Sequence, residues 1–221
     1  IKPMHIQEHI ITTIPVFEIK DTFEKVLDFF QDTTYSHVAV VEEGRFLGVF
    51  SGNDAETLLP DTKIEEFRYE LQSFFVRGET NWLDILEAFA RNEANLLPIL
   101  NEKEEVVGYY DLTDIVTVFI DTPFFTDPGS ILVVATGIKD YSFSQIAQIV
   151  ESNNAKLIGG FITDTQNDII QVTLKITTDN YNKVVQTFRR YNYHILFGNS
   201  DDQFLEDLKE RSDYLDKYLN V

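Results

Sequence analysis

The chain has 221 residues, 43% hydrophobic and 25% charged, which is enough apolar chain to bury one or two cores and too much to stay disordered. Its formal net charge of −19 repels phosphate backbones and anionic headgroups, so we expect neither nucleic acid nor a membrane as a partner. Cysteine is absent, which excludes disulfides and thiolate chemistry, and neither a long apolar run nor a signal peptide is present, so we expect a cytoplasmic protein.

The pattern in residues 1–60 predicts one β-α-β-β-α unit. Its first long helix carries apolar residues at the i, i+3, i+4, i+7 spacing of a helix that buries one face. Alternating apolar residues then predict two strands joined by an acidic turn, and a final helix that Pro60 ends. The predicted elements are a short helix within residues 2–13 followed by an extended segment, helix 23–31, strands 35–41 and 46–50, and helix 52–59.

The same unit returns in residues 61–121. Residues 36–54 match residues 95–114, and Gly48 in the first copy corresponds to Gly108 in the second. A duplication that stays in register over this length indicates two copies of one unit packed side by side. The predicted elements of the second copy are strand 71–76, helix 82–92, strands 96–100 and 106–110, and helix 112–119.

A different pattern follows residues 122–129, whose two prolines and glycine predict a linker. In residues 130–221 the predicted order is β-α-β-β-α-β and then a terminal helix. The fold class is therefore α+β, with two tandem β-α-β-β-α units forming one module and a ferredoxin-like βαββαβ domain after it. The predicted elements are strand 131–136, a helix from Ser142 or Ser144, strands 155–163 and 169–177 around a turn at 164–168, helix 181–191, strand 193–197, and a terminal helix with a stripe of Phe204, Leu208, Leu215 and Leu219.

The duplicated unit resembles a tandem pair of CBS domains, the cystathionine-beta-synthase-type sensor module. The resemblance rests on residues 36–41 and 48–54 of the first copy and residues 98–100 and 108–114 of the second. The segment after Gly129 resembles an ACT domain, and the whole arrangement is similar to bacterial CBS–ACT proteins of the acetoin-utilisation accessory type. This resemblance implies a dimeric sensor that binds adenosine-type ligands between the two copies and does not catalyse a reaction.

Two interpretations are open for Ser51-Gly-Asn-Asp54, which follows a predicted strand and opens a predicted helix. The resemblance implies that the Ser51 hydroxyl contacts a phosphate and that the Asp54 carboxylate holds the ribose hydroxyls. A carboxylate is suited to this because it accepts both vicinal hydroxyls in charge-assisted bonds. The same four residues are also typical of a capping box, in which Ser51 caps the helix without any ligand.

The second copy departs from this pattern. Asp111 stands where the serine belongs, while Asp114 keeps the ribose position. A phosphate about 4 Å from Asp111 would meet a repulsion of order 4 kcal/mol at an effective dielectric constant near 20. We therefore expect at most one site for an anionic nucleotide, with the second cleft empty or open to an uncharged or cationic ligand.

The resemblance further implies that the base is contacted by the strand that leads into each copy. The implied residues are Thr13, Ile14 and Val16 in the first copy, and Ser73 and Phe75 in the second.

We expect a homodimeric regulatory protein that requires no cofactor and senses an adenine nucleotide or S-adenosylmethionine, with a regulated protein as a candidate partner. The alternatives are a ligand-free dimeric scaffold and an amino-acid-sensing ACT regulatory subunit. His5 and His9 have the i, i+4 spacing of metal ligands, but no third ligand is evident nearby, so we expect a solvated helix face instead of a metal site. No pattern predicts catalytic residues.

Overall fold

The computed structural model describes residues 6–197. The chain divides into two compact units, Ile1–Asp121 and Thr122–Val221. The predicted α+β class is confirmed, with the duplicated module in the first unit and a ferredoxin-like sheet in the second. His5 and the predicted terminal helix lie outside the described residues.

The first repeat is a three-stranded sheet covered by helices. Strand order is β1-β2-β3, with the first pair parallel and the second antiparallel. The predicted helix 52–59 is shorter than expected, because Thr57 and Leu58 donate their N–H groups to carbonyls three residues back instead of four. The elements are a 3₁₀ turn at Ile6–His9, β1 at Phe17–Glu18, α1 at Phe23–Asp32, β2 at His37–Glu42, β3 at Arg45–Ser51, α2 at Gly52–Ala55 and a 3₁₀ helix at Ile64–Glu70.

The second repeat has the same architecture. Its strand order β4-β5-β6 and its parallel-then-antiparallel pairing match those of the first repeat. The two antiparallel strands are completely or almost completely buried where they cross the core, as at Leu97 and Tyr110. The elements are β4 at Val76–Arg77, α3 at Trp82–Arg91, β5 at Leu96–Leu100, β6 at Val106–Asp111 and α4 at Leu112–Ile120.

The segments that lead into the two repeats are exchanged between them. Gln72, which precedes the second repeat, exchanges two backbone hydrogen bonds of 2.8 and 3.0 Å with Val49 in β3 of the first repeat. Ile11, which precedes the first repeat, exchanges two of 2.9 Å with Tyr109 in β6 of the second. Each repeat is therefore completed by chain that leads into the other, which binds the two into one module.

Two equivalent residues also link the repeats. Ser36 donates its backbone N–H to Oδ1 of Asn95 at 2.7 Å, and Asn95 donates its backbone N–H to Oγ of Ser36 at 2.9 Å. The carbonyls of the same two residues accept from Gly52 and Leu112, the first residues of α2 and α4. This reciprocal pair places the starts of both helices in a fixed relation to each other.

Two adjacent tyrosines in β6 differ in whether their buried hydroxyl groups are hydrogen-bonded. The Tyr109 hydroxyl, whose pKa burial raises, donates to the Pro15 carbonyl at 2.8 Å and accepts from the Ala39 N–H at 3.1 Å. The Tyr110 side chain is completely buried, and among the described residues its hydroxyl has no hydrogen-bond partner. The first repeat has Phe50 at the position of Tyr110.

Removing each hydroxyl should therefore have a different effect on the free energy of unfolding. Tyr109→Phe leaves two backbone groups without a partner and should lower it by about 1–3 kcal/mol. Tyr110→Phe removes an unsatisfied buried hydroxyl and should leave it unchanged or raise it. Urea unfolding followed by the fluorescence of the single tryptophan, Trp82 in α3, reports on this unit. Equal losses from both substitutions would contradict this assignment of the two hydroxyls.

The second unit has the βαββαβ order of a ferredoxin-like domain. Its antiparallel sheet has the order β10-β7-β9-β8. The predicted turn at 164–168 is only two residues long, because Asn167 and Asp168 both adopt positive φ, as a tight hairpin turn requires. The elements are α5 at Pro123–Thr126, β7 at Ser130–Gly137, α6 at Phe143–Glu151, β8 at Lys156–Gln166, β9 at Ile169–Thr177, α7 at Tyr181–Arg190 and β10 at His194–Phe197.

The segment expected to be a linker, residues 122–129, packs on the second unit's sheet. It contains α5, and the Phe124 ring occupies the space beside Gly159, where a Cβ would lie 2.8 Å from it. The buried ammonium of Lys175 donates to the Phe125 carbonyl at 3.0 Å, and Thr177 donates to the Pro128 carbonyl at 3.0 Å. Gly159 therefore serves a close approach, next to the irregular register between Leu157 and Gly159.

Candidate functional site

The site begins with a cavity in the first unit of about 560 Å³. Its lining comes from both repeats: the end of α1 with the strand after it, the β3–α2 junction, the segment leading into the second repeat, and the end of α3. The lining residues are Phe30, residues 33–37, residues 51–54, Glu56, Gln72 and residues 91–93. Ser51 and Asp54, which the sequence marks as candidates, thus reach the same cavity.

Ser51 does not cap the helix that it precedes. It occupies the N-cap position of α2 with extended backbone, but its side chain makes no capping hydrogen bond. In the second repeat, the carboxylate of Asp111 accepts from the N–H groups of Thr113 at 2.6 Å and Asp114 at 3.3 Å. The two equivalent positions therefore differ in chemistry: the Asp111 side chain satisfies its own helix, while the Ser51 hydroxyl is available to a ligand in the cavity.

Asp54 and His37 give the cavity one charged acceptor beside one neutral ring. Burial lowers the pKa of His37, and the nearby carboxylate of Asp54 only partly opposes this, so the imidazole is uncharged at neutral pH. His37 Nδ1 shares a hydrogen bond of 2.8 Å with the Ser36 hydroxyl, and the ring packs edge-on against Phe74 at 5.1 Å. Asp54 is exposed, and its carboxylate takes part in none of the hydrogen bonds or ion pairs found in residues 6–197.

The base of the cavity is closely packed. A Cβ on Gly52 would lie 3.1 Å from the Phe30 ring, so the aromatic side chain rests directly on the backbone where α2 begins. Ser36 is held here by its reciprocal bonds to Asn95. A ligand in this cavity would therefore touch both repeats at the point where they are joined.

The walls carry more negative than positive charge. Asp54, Glu56 and Glu93 contribute three carboxylates, and Arg91 is the only arginine or lysine among the lining residues that the structure describes. Arg91 forms an ion pair of 2.5 Å with Glu87 one turn earlier on α3. Sequence reasoning missed Arg91, because it ends a helix whose pattern is explained by core packing.

The second candidate position is organised differently. Burial raises the pKa of the Tyr35 phenol, and the carboxylates of Asp111 and Asp114 raise it further. Neither aspartate lines the cavity that contains Ser51. Tyr35, in contrast, does line that cavity.

The residues implied as base contacts lie in different parts of the first unit. Ser73 and Phe75 line a neighbouring cavity of about 500 Å³, which shares Arg91 and Asn92 with the first. Instead it is Gln72, one residue earlier, that reaches the cavity of Ser51.

The residues implied in the first copy lie on a segment that packs where the two repeats meet. Ile14 packs in one cluster with Ala39 of the first repeat and with Leu96 and Tyr109 of the second, while Thr13 and Val16 are exposed on the same segment. The strands that follow, β1 and β4, pair with their own repeats, while Ile11 and Gln72 before them bridge to the other repeat.

Two further observations concern the described residues alone. Within residues 6–197, no three histidine, aspartate or glutamate side chains come together in a group that could hold a metal ion. None of the helices described there is long and apolar enough to cross a bilayer.

A family model for the CBS domain matches residues 6–61 and 69–121, which are the two repeats. The chain carries a pair of CBS domains. A search of curated protein sequences finds no significant match to this chain. In this pair the first CBS domain contributes Ser51 and Asp54 to the cavity, and the second contributes Arg91 and the leading residue Gln72.

Solved structures with a similar fold cover about half of the chain. A CBS domain pair/ACT domain protein from Thermotoga maritima has 22% identity and a TM-score of 0.48, covering 53% of this chain and 97% of that one. CBS domains of a transcriptional regulator from Streptococcus pneumoniae have 18% identity and a TM-score of 0.46, covering 51% and 97%. The CBS domain of a bacterial CNNM/CorC family Mg²⁺ transporter, in complex with ATP, has 17% identity and a TM-score of 0.42, covering 52% and 86%.

Proposed function

We propose that this chain is a non-catalytic regulatory protein whose CBS pair binds one adenosine-type ligand in the cavity of Ser51 and Asp54. The observation that carries the proposal is the difference between the two equivalent junctions. The hydroxyl of Ser51 is not used for capping and the carboxylate of Asp54 makes no hydrogen bond or ion pair within residues 6–197, whereas Asp111 caps its own helix. One junction therefore offers a donor and an acceptor to a ligand, and the other is closed by its own side chain.

The proposed contacts follow from the chemistry of the two groups. A carboxylate such as Asp54 accepts hydrogen bonds from both vicinal ribose hydroxyls, and charge-assisted bonds of this kind contribute about 1.5–3 kcal/mol each. The Ser51 hydroxyl can donate to an anionic oxygen at the 5′ end of the nucleoside. Phe30 and Tyr35 supply apolar surface in the same cavity for a planar base.

A ligand held here would act on the arrangement of the two domains. The cavity is lined by residues 51–54 of the first domain and residues 91–93 of the second. Binding therefore favours the arrangement of the two domains in which both groups of residues contact the ligand. The shift in that equilibrium is limited to the difference in the ligand's affinity for the two arrangements. A change of this kind is what a regulated protein partner or a second copy in a homodimer would sense.

The second unit is proposed as an ACT-like module for dimerisation or a second effector. Its ferredoxin-like sheet supports this assignment, and the resemblance to acetoin-utilisation accessory proteins supplies a candidate pathway. The loop after β7, where ACT domains that bind amino acids contact their ligand, is closed by bonds from Ile138 N–H to the Asp168 carbonyl and from Asp140 N–H to the Gly137 carbonyl. This favours a structural role for the loop over amino-acid sensing.

Thermal unfolding of the full chain with adenosine, AMP, ADP, ATP and S-adenosylmethionine tests the proposal. A compound that binds only the folded protein, at 100 times its dissociation constant, adds about 2.7 kcal/mol, which raises the melting temperature by several degrees. Ribose 5-phosphate and GMP serve as controls for the sugar and for the base. A melting temperature that no adenine compound changes would favour the ligand-free scaffold instead.

A further inference from the structure

Arg91 is the residue through which the cavity could recognise an anionic group. It is the only arginine or lysine among the lining residues that the structure describes, where Asp54, Glu56 and Glu93 supply three carboxylates. The adjacent His37 adds no positive charge, because burial lowers its pKa. Arg91 can form an ion pair with one negatively charged group of a ligand. Each further negative charge on the ligand would be repelled by the surrounding carboxylates.

The position of Arg91 allows its guanidinium to pair either with Glu87 or with an anion in the first cavity. Arg91 lies on the wall shared by the two cavities, while its ion-pair partner Glu87 lines only the neighbouring one. The side chains of Arg91 and Glu87 are 74% and 62% exposed, and exposed pairs spaced i, i+4 on a helix are weak. An anion in the first cavity therefore competes for the guanidinium with Glu87, whose own ion pair is weak.

We propose that Arg91 is the specificity-determining residue of this cavity, which releases Glu87 to bind the single phosphate of an adenosine monophosphate. The ligand class is thus a nucleoside monophosphate, bound in preference to the uncharged nucleoside and to the triphosphate. The guanidinium supplies planar, paired donors that suit phosphate oxygens. This inference rests on the proposed function and adds to it the charge of the ligand.

Calorimetric titration of the full chain with AMP, adenosine and ATP tests it in the wild type and in Arg91→Gln and Glu87→Gln. The wild type should bind AMP about tenfold more tightly than adenosine, as one net charge-assisted contact provides, and more tightly than ATP. Arg91→Gln should remove most of the preference for AMP over adenosine, leaving only what the Ser51 hydroxyl contributes, and should leave adenosine binding unchanged. Glu87→Gln should tighten AMP binding, because the competitor is gone, without changing the affinity for adenosine.

Arg77→Gln is the matched control, since this arginine lines only the neighbouring cavity and its loss should alter neither affinity. The inference is overturned if Arg91→Gln weakens AMP and adenosine equally, or if AMP affinity survives the substitution. Equal binding of AMP and adenosine by the wild type would overturn this inference and leave the proposed function standing. Binding of neither compound by the wild type would overturn both.

Discussion

Gly48→Ala is expected to lower the free energy of unfolding of the CBS pair by about 1–3 kcal/mol, the usual cost of forcing an extra group into a packed core. A Cβ at this position would lie 2.8 Å from the Gln72 carbonyl oxygen and 3.0 Å from Leu71 Cβ. Neither neighbour is the free end of a flexible side chain, so the leading segment itself must move. That movement would strain the two bonds between Val49 and Gln72, each contributing about 0.5–1.5 kcal/mol.

Gly108→Ala should have a comparable effect at the equivalent crossing, because a Cβ there would lie 2.6 Å from Ile10 Cγ2 and 2.8 Å from the Ile11 carbonyl oxygen. Gly78→Ala is the matched control, since nothing lies within 4 Å of the added Cβ and the loss of a glycine at a compatible position is neutral or slightly stabilising. Urea unfolding followed by Trp82 fluorescence measures all three. A Gly48→Ala variant as stable as Gly78→Ala would show that the leading segments do not cross at these glycines.

Asp54→Asn is expected to weaken adenosine and AMP binding about 10- to 100-fold with little change in stability. The substitution keeps the size of the side chain but removes the charge that strengthens its bonds to the ribose hydroxyls, worth about 1.5–3 kcal/mol. Stability should hold because the Asp54 side chain is exposed and makes no hydrogen bond or ion pair within the described range of residues 6–197. The readout is the dissociation constant from calorimetric titration, with melting temperature measured in parallel.

Asp114→Asn provides the paired comparison at the equivalent position of the second domain. It should leave the affinity for the ligand unchanged, because Asp114 does not line the cavity and the helix it belongs to is capped by Asp111. Equal weakening by both substitutions would mean that the two clefts contribute alike. Weakening by Asp114→Asn alone would move the site to the second domain.

The sequence was sufficient to predict the duplicated architecture. The spacing of apolar residues is a local feature, and it predicts the strands and helices of both copies. Gly48 and Gly108 correspond in sequence, and in the structure each lies where a leading segment approaches a strand closely. The hairpin of the second unit was also predictable, although its turn was placed over five residues instead of two, because strand pairing continued into the polar residues 164–166.

What the sequence could not predict depends on contacts between distant segments. Nothing in the residues around Gln72 indicates that they bridge to Val49 of the first repeat, while β4, which follows them, pairs with β5 of its own repeat. Ser51-Gly-Asn-Asp54 is compatible with capping and with ligand binding, and only the orientation of the side chain distinguishes them. The proline-flanked segment 122–129 suggested a linker because its local composition does not show that Phe124 packs beside Gly159.

The most direct test of the central claim is the stoichiometry of AMP binding to the wild-type chain, measured by isothermal titration calorimetry. We predict one AMP per chain, because the Ser51–Asp54 cavity is open to a ligand while the Asp111 carboxylate occupies the N–H groups at the equivalent junction. Two AMP molecules per chain would contradict the proposed difference between the two CBS domains. No binding of AMP would contradict the proposal that this pair senses an adenosine-type ligand of the monophosphate class.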